Sequence, residues 1–313
     1  MPVARNVVVV GPGAVGSYFG GMLARAGAAV TMLGRPGRPS SHMEAMASNG
    51  LRMETVTFEE RVAVSVTTQP EVVAEADLVL VAVKTMHTDD AATGIAPYLK
   101  TQTPLVGLQN GVDGPDRMRR AGLDPIPAVV FVAAEIVRPG VVKHRARGDL
   151  VIGHRNRSAD LGRVKAWCET AGIGVRISDN VERDLWIKLV INSMTNAISA
   201  LTDAPYGPVV EFAPTWNLAE AVLNEGLLVA RASGFELDPD EVRSRALEVC
   251  RAAHAATSST QQDLARGRPT EIDSLNGFLA VRAGQCGVEA PANRMLSALV
   301  KLKEQMSIRP PTP

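Results

Sequence analysis

A run of four valines, Val7–Val10, passes directly into Gly11-Pro12-Gly13-Ala14-Val15-Gly16, and helical spacing follows over Val15–Ala26. This strand, glycine turn and helix restrict the chain more than any other feature. In a G-x-G-x-x-G turn the first glycine permits the tight bend, the second lets a pyrophosphate approach the backbone, and the third lets the helix pack closely on the strand. The helix N-terminus then faces the phosphates with unpaired N–H groups and a positive dipole end. Gly11, Pro12, Gly13, Ala14, Val15 and Gly16 are therefore read as a dinucleotide-binding turn.

The second strand, Ala29–Leu33, ends where the adenosine ribose of such a ligand lies. A site for NAD places a carboxylate there to take the ribose 2′-hydroxyl. No acid occurs before Glu44, and Gly34-Arg35-Pro36-Gly37-Arg38 stands in its place. A guanidinium forms charge-assisted bonds to a 2′-phosphate that a carboxylate would repel. NADPH is the expected cofactor, with Arg35 the first candidate and Arg38 a weaker one.

Short apolar runs alternate with helical segments through the first half. Strands are expected at Asn6–Val10, Ala29–Leu33, Arg61–Thr67, Leu78–Val83, Pro104–Leu108, Ala128–Val137, Val141–Gly153 and Gly174–Ile177. The intervening helices are Val15–Ala26, Pro70–Ala76, Thr88–Leu99 and Ala159–Ala171. This alternation describes a largely parallel sheet with helices on both faces. After Ile177 only helical patterns follow: Glu182–Leu201, Thr215–Ala232, Pro239–Leu264, Ile272–Gln285 and Pro291–Met306. Asp179 and Glu182 have the spacing of a capping box. The expected fold is α/β, with a doubly wound domain over residues 1–179 and an all-helical domain over 180–313. The 313 residues suffice for two cores.

Lys plus Arg and Asp plus Glu each number 33, so the formal net charge is zero, and neither nucleic acid nor an anionic membrane is the expected partner. No apolar stretch reaches the length of a membrane span. Cys168, Cys250 and Cys286 stand far apart, which argues against a disulfide framework and fits a cytoplasmic location. His42, His87, His144, His154 and His254 show no ligand spacing, so no metal is expected. The apolar helices of the second half are compatible with a homodimer and equally with a monomer.

Two further strand ends, at Lys84 and at Gln109-Asn110-Gly111, point toward the ligand side of such a sheet. Lys84 can be an ordinary loop cation, and Asn110-Gly111 is by itself a turn signal. In the helix beginning near Glu182, Lys188, Asn192 and Asn196 recur at i, i+4 and i+8 and form one polar stripe. Ile187, Leu189, Val190, Ile191, Met194 and Ile198 crowd the remaining circumference. The stripe thus faces a cavity or an interface, or else solvent. Ser258-Ser259 reads as a helix end, and Thr270 with Asp273 as a capping box into which Glu271 adds a favourable charge.

Taken together, Gly11-x-Gly13-x-x-Gly16, Gln109-Asn110-Gly111, Trp186-x-Lys188-Leu189-x-x-Asn192 and Thr270-Glu271-Ile272-Asp273-x-Leu275-Asn276-Gly277 resemble the ketopantoate reductase (2-dehydropantoate 2-reductase) family. The resemblance covers essentially the whole chain. It implies a Rossmann-type N-terminal domain, a helical C-terminal domain, and NADPH-dependent reduction of the 2-oxo acid ketopantoate to pantoate in pantothenate and coenzyme A synthesis. It implies Lys188 as proton donor and Glu271 as its acidic partner. Asn110, Asn192, Asn196 and Ser259 would line the substrate pocket, and Arg35, Lys84 and Asn110 would serve the cofactor. The chain departs from the family pattern at Ala256, where a substrate-binding asparagine is expected, at Tyr206, where some members have another pocket asparagine, and at Thr260-Gln261, where Met-Leu is more usual. These departures keep open a paralogous reductase of another 2-oxo acid or an opine-type dehydrogenase; a non-catalytic NADP(H)-binding sensor is a third reading, against which the intact Lys188, Asn192 and Glu271 set argues.

Overall fold

The computed structural model describes residues 4–37, 39–154 and 156–308. Arg38, the weaker cofactor candidate, and the tail from Arg309 lie outside them. The chain divides into two compact units, Met1–Asp184 and Leu185–Pro313.

The first unit runs β1 (Asn6–Val10), α1 (Ala14–Arg25), β2 (Ala29–Leu33), α2 (Ser41–Asn49), β3 (Leu51–Glu54), β4 (Glu59–Val62) and β5 (Ser65–Thr67). A 3-10 helix at Pro70–Glu75 precedes β6 (Leu78–Val81), and another at Thr85–His87 precedes α3 (Thr88–Ile95), β7 (Leu105–Gly107) and α4 (Gly114–Arg120). The long strands β8 (Ile126–Arg138) and β9 (Val141–Ile152), then α5 (Ser158–Thr170) and β10 (Val175–Ile177), complete it. The strand order is β4-β3-β9-β8-β7-β6-β1-β2-β5, with β10 also on β9. The stretch from β8 through β5 is parallel, while β8–β9 and β3–β4 are antiparallel.

The central strands are continuous apolar runs because they feed two cores at once. Successive side chains on a strand point to opposite faces. Val7 and Val9, with Leu78 and Leu80, enter a core shared with Phe19, Leu23, Leu161 and Val164 of α1 and α5. Val8 and Val10, with Val79 and Val81, enter a second core shared with Ala92, Ile95 and Met118 of α3 and α4. This is the doubly wound arrangement that the strand sequences call for.

The second unit is helical. It comprises α6 (Val181–Thr202), α7 (Tyr206–Glu211), α8 (Ala213–Ala232), α9 (Pro239–Ala252), α10 (Ser259–Ala265), a 3-10 turn at Ile272–Ser274, α11 (Asn276–Cys286) and α12 (Pro291–Ile308). α6 is its central rod. Trp186 packs on Phe235 and Phe278 at 5.6 and 5.9 Å between ring centroids. Gly226 of α8 leaves room for Val190, whose methyls would lie 3.0 Å from an added Cβ. Asn276 of α11 donates to the carbonyl of Ser193 at 3.0 Å. Among the described residues no helix is long and apolar enough to cross a membrane.

Five local expectations change, one of them at Ile272–Gln285, which is a 3-10 turn at Ile272–Ser274 followed by α11 from Asn276. Arg61–Thr67 is two strands, since Val62 pairs with Leu51 and Ser65–Thr67 pairs with β2. Pro239–Leu264 is two helices, because tertiary hydrogen bonds take over after Ala252: Tyr206 N–H and Gly207 N–H donate to the carbonyls of Ala256 and His254, each at 2.9 Å. Asn180 rather than Asp179 caps α6, its Oδ1 accepting from Arg183 N–H at 3.1 Å. Asp273 closes no capping box with Thr270 but is drawn to Lys301 at 2.8 Å.

Candidate active site

The glycine turn sits at the carboxyl end of β1. Gly11 has φ +95, and a Cβ there would lie 2.7 Å from Val83 of the loop after β6. A Cβ on Gly16 would lie 2.3 Å from the Gly11 carbonyl oxygen. Each glycine is thus demanded by a close backbone approach. Gly13 is different, for a Cβ there would meet no heavy atom within 4 Å, so packing does not explain it. Gly13 is also the N-cap of α1, with no side-chain cap and no acid in the first turn. The turn therefore presents the N–H groups of the first helical residues, among them Ala14, Val15 and Gly16, toward open space bordered by positive dipole. An anionic pyrophosphate fits that arrangement.

Neighbouring strand ends bring the other first-unit residues to the same edge of the sheet. Gly11 N–H donates to Leu33 O at 2.9 Å, Ala82 N–H to Val10 O at 2.8 Å and Leu108 N–H to Val81 O at 2.7 Å, so β2, β1, β6 and β7 end in step. Arg35 follows β2, Lys84 follows β6 and Asn110 follows β7. The Arg35 guanidinium donates to His87 Nε2, which fixes that nitrogen as an unprotonated acceptor. Burial first, then the Arg35 and Lys84 charges, hold the His87 imidazole below its ordinary pKa against the opposing pull of Asp90. A cationic edge of this kind suits an added phosphate. Gln109 ties the two loops together: its Nε2 donates to Val83 O at 3.0 Å and to Thr88 Oγ1 at 2.6 Å. Thr85 Oγ1 donates to Asn110 O at 3.1 Å, which holds the backbone of that asparagine.

In the second unit the polar stripe of α6 resolves into two kinds of residue. From Leu185 to Ile198 every residue is buried except Lys188 and Asn192, which retain partial exposure. Asn196 is buried, and its Oδ1 accepts from the Tyr206 hydroxyl at 2.9 Å. Burial pushes the Tyr206 phenol up, which keeps it a hydrogen-bond donor. Ser258 caps α10, its Oγ accepting from Gln261 N–H at 3.1 Å while donating to the Asn196 carbonyl at 3.0 Å. Ser259, the first residue of α10, is exposed. Glu271 is half-buried and precedes the 3-10 turn at Ile272–Ser274. Ser258 and Tyr206 thus support Asn196, and Gln109 holds the Val83 carbonyl beside Lys84. For Tyr206 the sequence signal was its departure from a family pattern, and for Gln109 its place in a motif. Among the described residues no group of three or more His, Cys, Asp or Glu side chains is placed to hold a metal ion.

A dinucleotide-type α/β unit followed by a helical unit with a Lys–Asn pair on a buried helix defines the class, a two-part oxidoreductase. The family model described as "Ketopantoate reductase PanE/ApbA" matches residues 7–157, and "Ketopantoate reductase PanE/ApbA C terminal" matches residues 180–304. The chain belongs to the ketopantoate reductase family. It is 36% identical over 310 residues to a 2-dehydropantoate 2-reductase of Halobacterium salinarum, covering 96% of this chain and 99% of that protein. It is 33% identical over 305 residues to a 2-dehydropantoate 2-reductase of Pyrococcus horikoshii, covering 96% and 98%. The crystal structure of a PanE/ApbA family ketopantoate reductase from Ralstonia eutropha is similar at TM-score 0.89 and 41% identity, covering 97% of this chain and all of that one.

Proposed function

We propose that this protein reduces ketopantoate to pantoate with NADPH, in the cytoplasm, as a step toward pantothenate. The observation that carries this reading is α6, where Lys188 and Asn192, one turn apart, keep partial exposure on a helix whose neighbouring residues are all buried. A lysine and an amide held this way on a rigid apolar rod suit a fixed proton donor and a fixed orienting group.

NADPH, when bound, supplies the hydride that goes to C2 of the ketone. The glycine turn would hold its pyrophosphate, Arg35 and Lys84 its 2′-phosphate, and Asn110 would orient it from the end of β7. Lys188 donates the proton that the carbonyl oxygen needs as negative charge develops on it, and regains that proton from solvent. Glu271 holds the ammonium and the new hydroxyl. Asn192 and Ser259 orient the hydroxy-acid end of the substrate. Asn196, whose Oδ1 already accepts from Tyr206, contributes its Nδ2.

The test is turnover of ketopantoate with NADPH by the purified protein, beside a panel of other 2-oxo acids. Ketopantoate is expected to give the highest kcat/KM. Lys188→Ala should lower kcat by about 100-fold or more, the usual scale for loss of a general acid. A loss below tenfold would remove Lys188 as the acid. A different best substrate would favour the paralogous reductase, and NADPH binding without oxidation by any keto acid would favour a sensor.

A further inference from the structure

The segment that carries Glu271 is gripped from the far end of the chain. Glu304, on the last turns of α12, accepts at Oε2 from Thr270 N–H at 2.8 Å and from the Thr270 hydroxyl at 2.7 Å. While donating to Glu304, that hydroxyl also accepts from Ile272 N–H at 3.3 Å. The backbone on both sides of Glu271 is thereby fixed through one carboxylate oxygen. Beyond it, Ser274 N–H closes back on Glu271 O at 2.9 Å, and Lys301, one turn before Glu304, holds Asp273 at 2.8 and 2.9 Å. Gly277 lets α11 lie close to α12, for a Cβ there would meet Ser297 Oγ at 3.2 Å and Ile272 O at 3.1 Å. Thr270 is only 3% exposed. Hydrogen bonds to an ionised acceptor in a half-buried setting are short and strong.

We propose that Glu304 is a positioning residue, setting the Thr270 backbone so that the Glu271 carboxylate is presented in one orientation, and acting on turnover only through Glu271. The proposal rests on the reading of Glu271 as the acidic partner at the reacting centre. A carboxylate fixed within a fraction of an ångström is what such a role needs, and a loop residue without a clamp does not supply it.

The experiment is steady-state kinetics of the full chain with ketopantoate and NADPH, together with NADPH affinity and thermal unfolding. Glu304→Asp keeps the charge and withdraws it by about 1.5 Å, one carbon–carbon bond. It should lower kcat about tenfold or more, with NADPH affinity within twofold of wild type. Glu304→Gln keeps the length and an acceptor for Thr270 N–H, and should restore kcat to within about threefold. Should the Asp variant be unstable, Thr270→Val removes the hydroxyl arm alone and is expected to lower kcat by about threefold to tenfold. In a Glu271→Gln background, Glu304→Asp should add no further loss, because coupled residues are not additive. Wild-type kcat in Glu304→Asp, or the same loss in both backgrounds, overturns the clamp while Glu271→Gln remains slow. Wild-type kcat in Glu271→Gln overturns the underlying reading of the site, and the clamp with it.

Discussion

His42 should make this protein lose stability in mild acid, and the size of the loss follows from its surroundings. The ring is 7% exposed. Its Nδ1 accepts from Gly140 N–H at 2.9 Å and so carries no proton. The proton sits on Nε2, which faces Ser17 Oγ at 3.0 Å, one residue past the glycine turn. Burial holds the imidazole pKa down at about 4, from an ordinary 6.5. Above pH 6.5 the folded and unfolded chains both keep this histidine neutral, and the stability is fully present. As pH falls from 6.5 toward 4 the unfolded chain takes up a proton that the folded chain refuses, so stability is lost across that window. Below about 4 the folded chain is protonated too, and the bond from Gly140 goes with it. A shift of this size corresponds to at most about 3–4 kcal/mol, at 1.36 kcal/mol for each pKa unit.

Other groups titrate in the same range, so the measurement is a difference. Urea unfolding of wild type and His42→Gln, at steps from pH 7 to pH 4, isolates the one residue. Gln retains an amide that can reach Ser17 but does not titrate. The variant should be less stable at pH 7 by about 1–2 kcal/mol, the cost of an imperfectly satisfied buried donor. Its deficit should shrink as the pH falls, and vanish or reverse near pH 4. Parallel stability curves for the two proteins, or a His42 titration midpoint near 6.5 by NMR, would refute the reasoning.

Three further outcomes are expected. Arg35→Ala should raise the KM for NADPH by about tenfold or more, the scale of a lost charge-assisted phosphate contact, and leave the KM for NADH within twofold. Gly16→Ala forces a methyl to within 2.3 Å of Gly11 O, so calorimetry should show a loss of about 1–3 kcal/mol and titration should show weakened NADPH binding. Tyr206→Phe removes the donor 2.9 Å from the buried Asn196 Oδ1, and denaturation should register a cost of about 1–2 kcal/mol.

What was legible in the sequence was what local geometry dictates. The valines of β1 announced a strand covered on both faces because Val7 and Val9 enter one core while Val8 and Val10 enter the other. The turn glycines were readable because Gly11 takes a positive φ within the turn and a Cβ at Gly16 is excluded by the Gly11 carbonyl five residues earlier. The stripe on α6 followed from the helical period. The hairpin of β3 and β4 was not readable as one: Leu51–Glu54 and Glu59–Val62 are short, charged segments, and Val62 reads as continuous with a neighbour that pairs elsewhere. His42 and Glu304 were equally silent, since their partners lie 98 and 34 residues away. A buried histidine and a C-terminal acid acquire meaning only once the fold has closed around them.

Two of the departures from the family pattern, Ala256 and Tyr206, are physically linked. The Tyr206 N–H donates to the Ala256 carbonyl at 2.9 Å, and the Tyr206 hydroxyl donates to Asn196 Oδ1, also at 2.9 Å. Tyr206 therefore joins the loop before α10 to the polar stripe of α6, and occupies the Asn196 Oδ1 acceptor. Ala256 is exposed and meets Tyr206 through its carbonyl, so Ala256→Asn alone leaves the phenol on Asn196 in place. Tyr206→Asn alone would free Asn196 Oδ1, while the Ser258 hydroxyl would still hold the Asn196 carbonyl. Changes at residues that share a partner are not additive. Ala256→Asn with Tyr206→Asn should thus alter the relative kcat/KM for different 2-oxo acids by a factor that the two single changes do not multiply to give. If the single effects simply multiply, Tyr206 and Ala256 act separately, and substrate choice is set elsewhere in the helical unit.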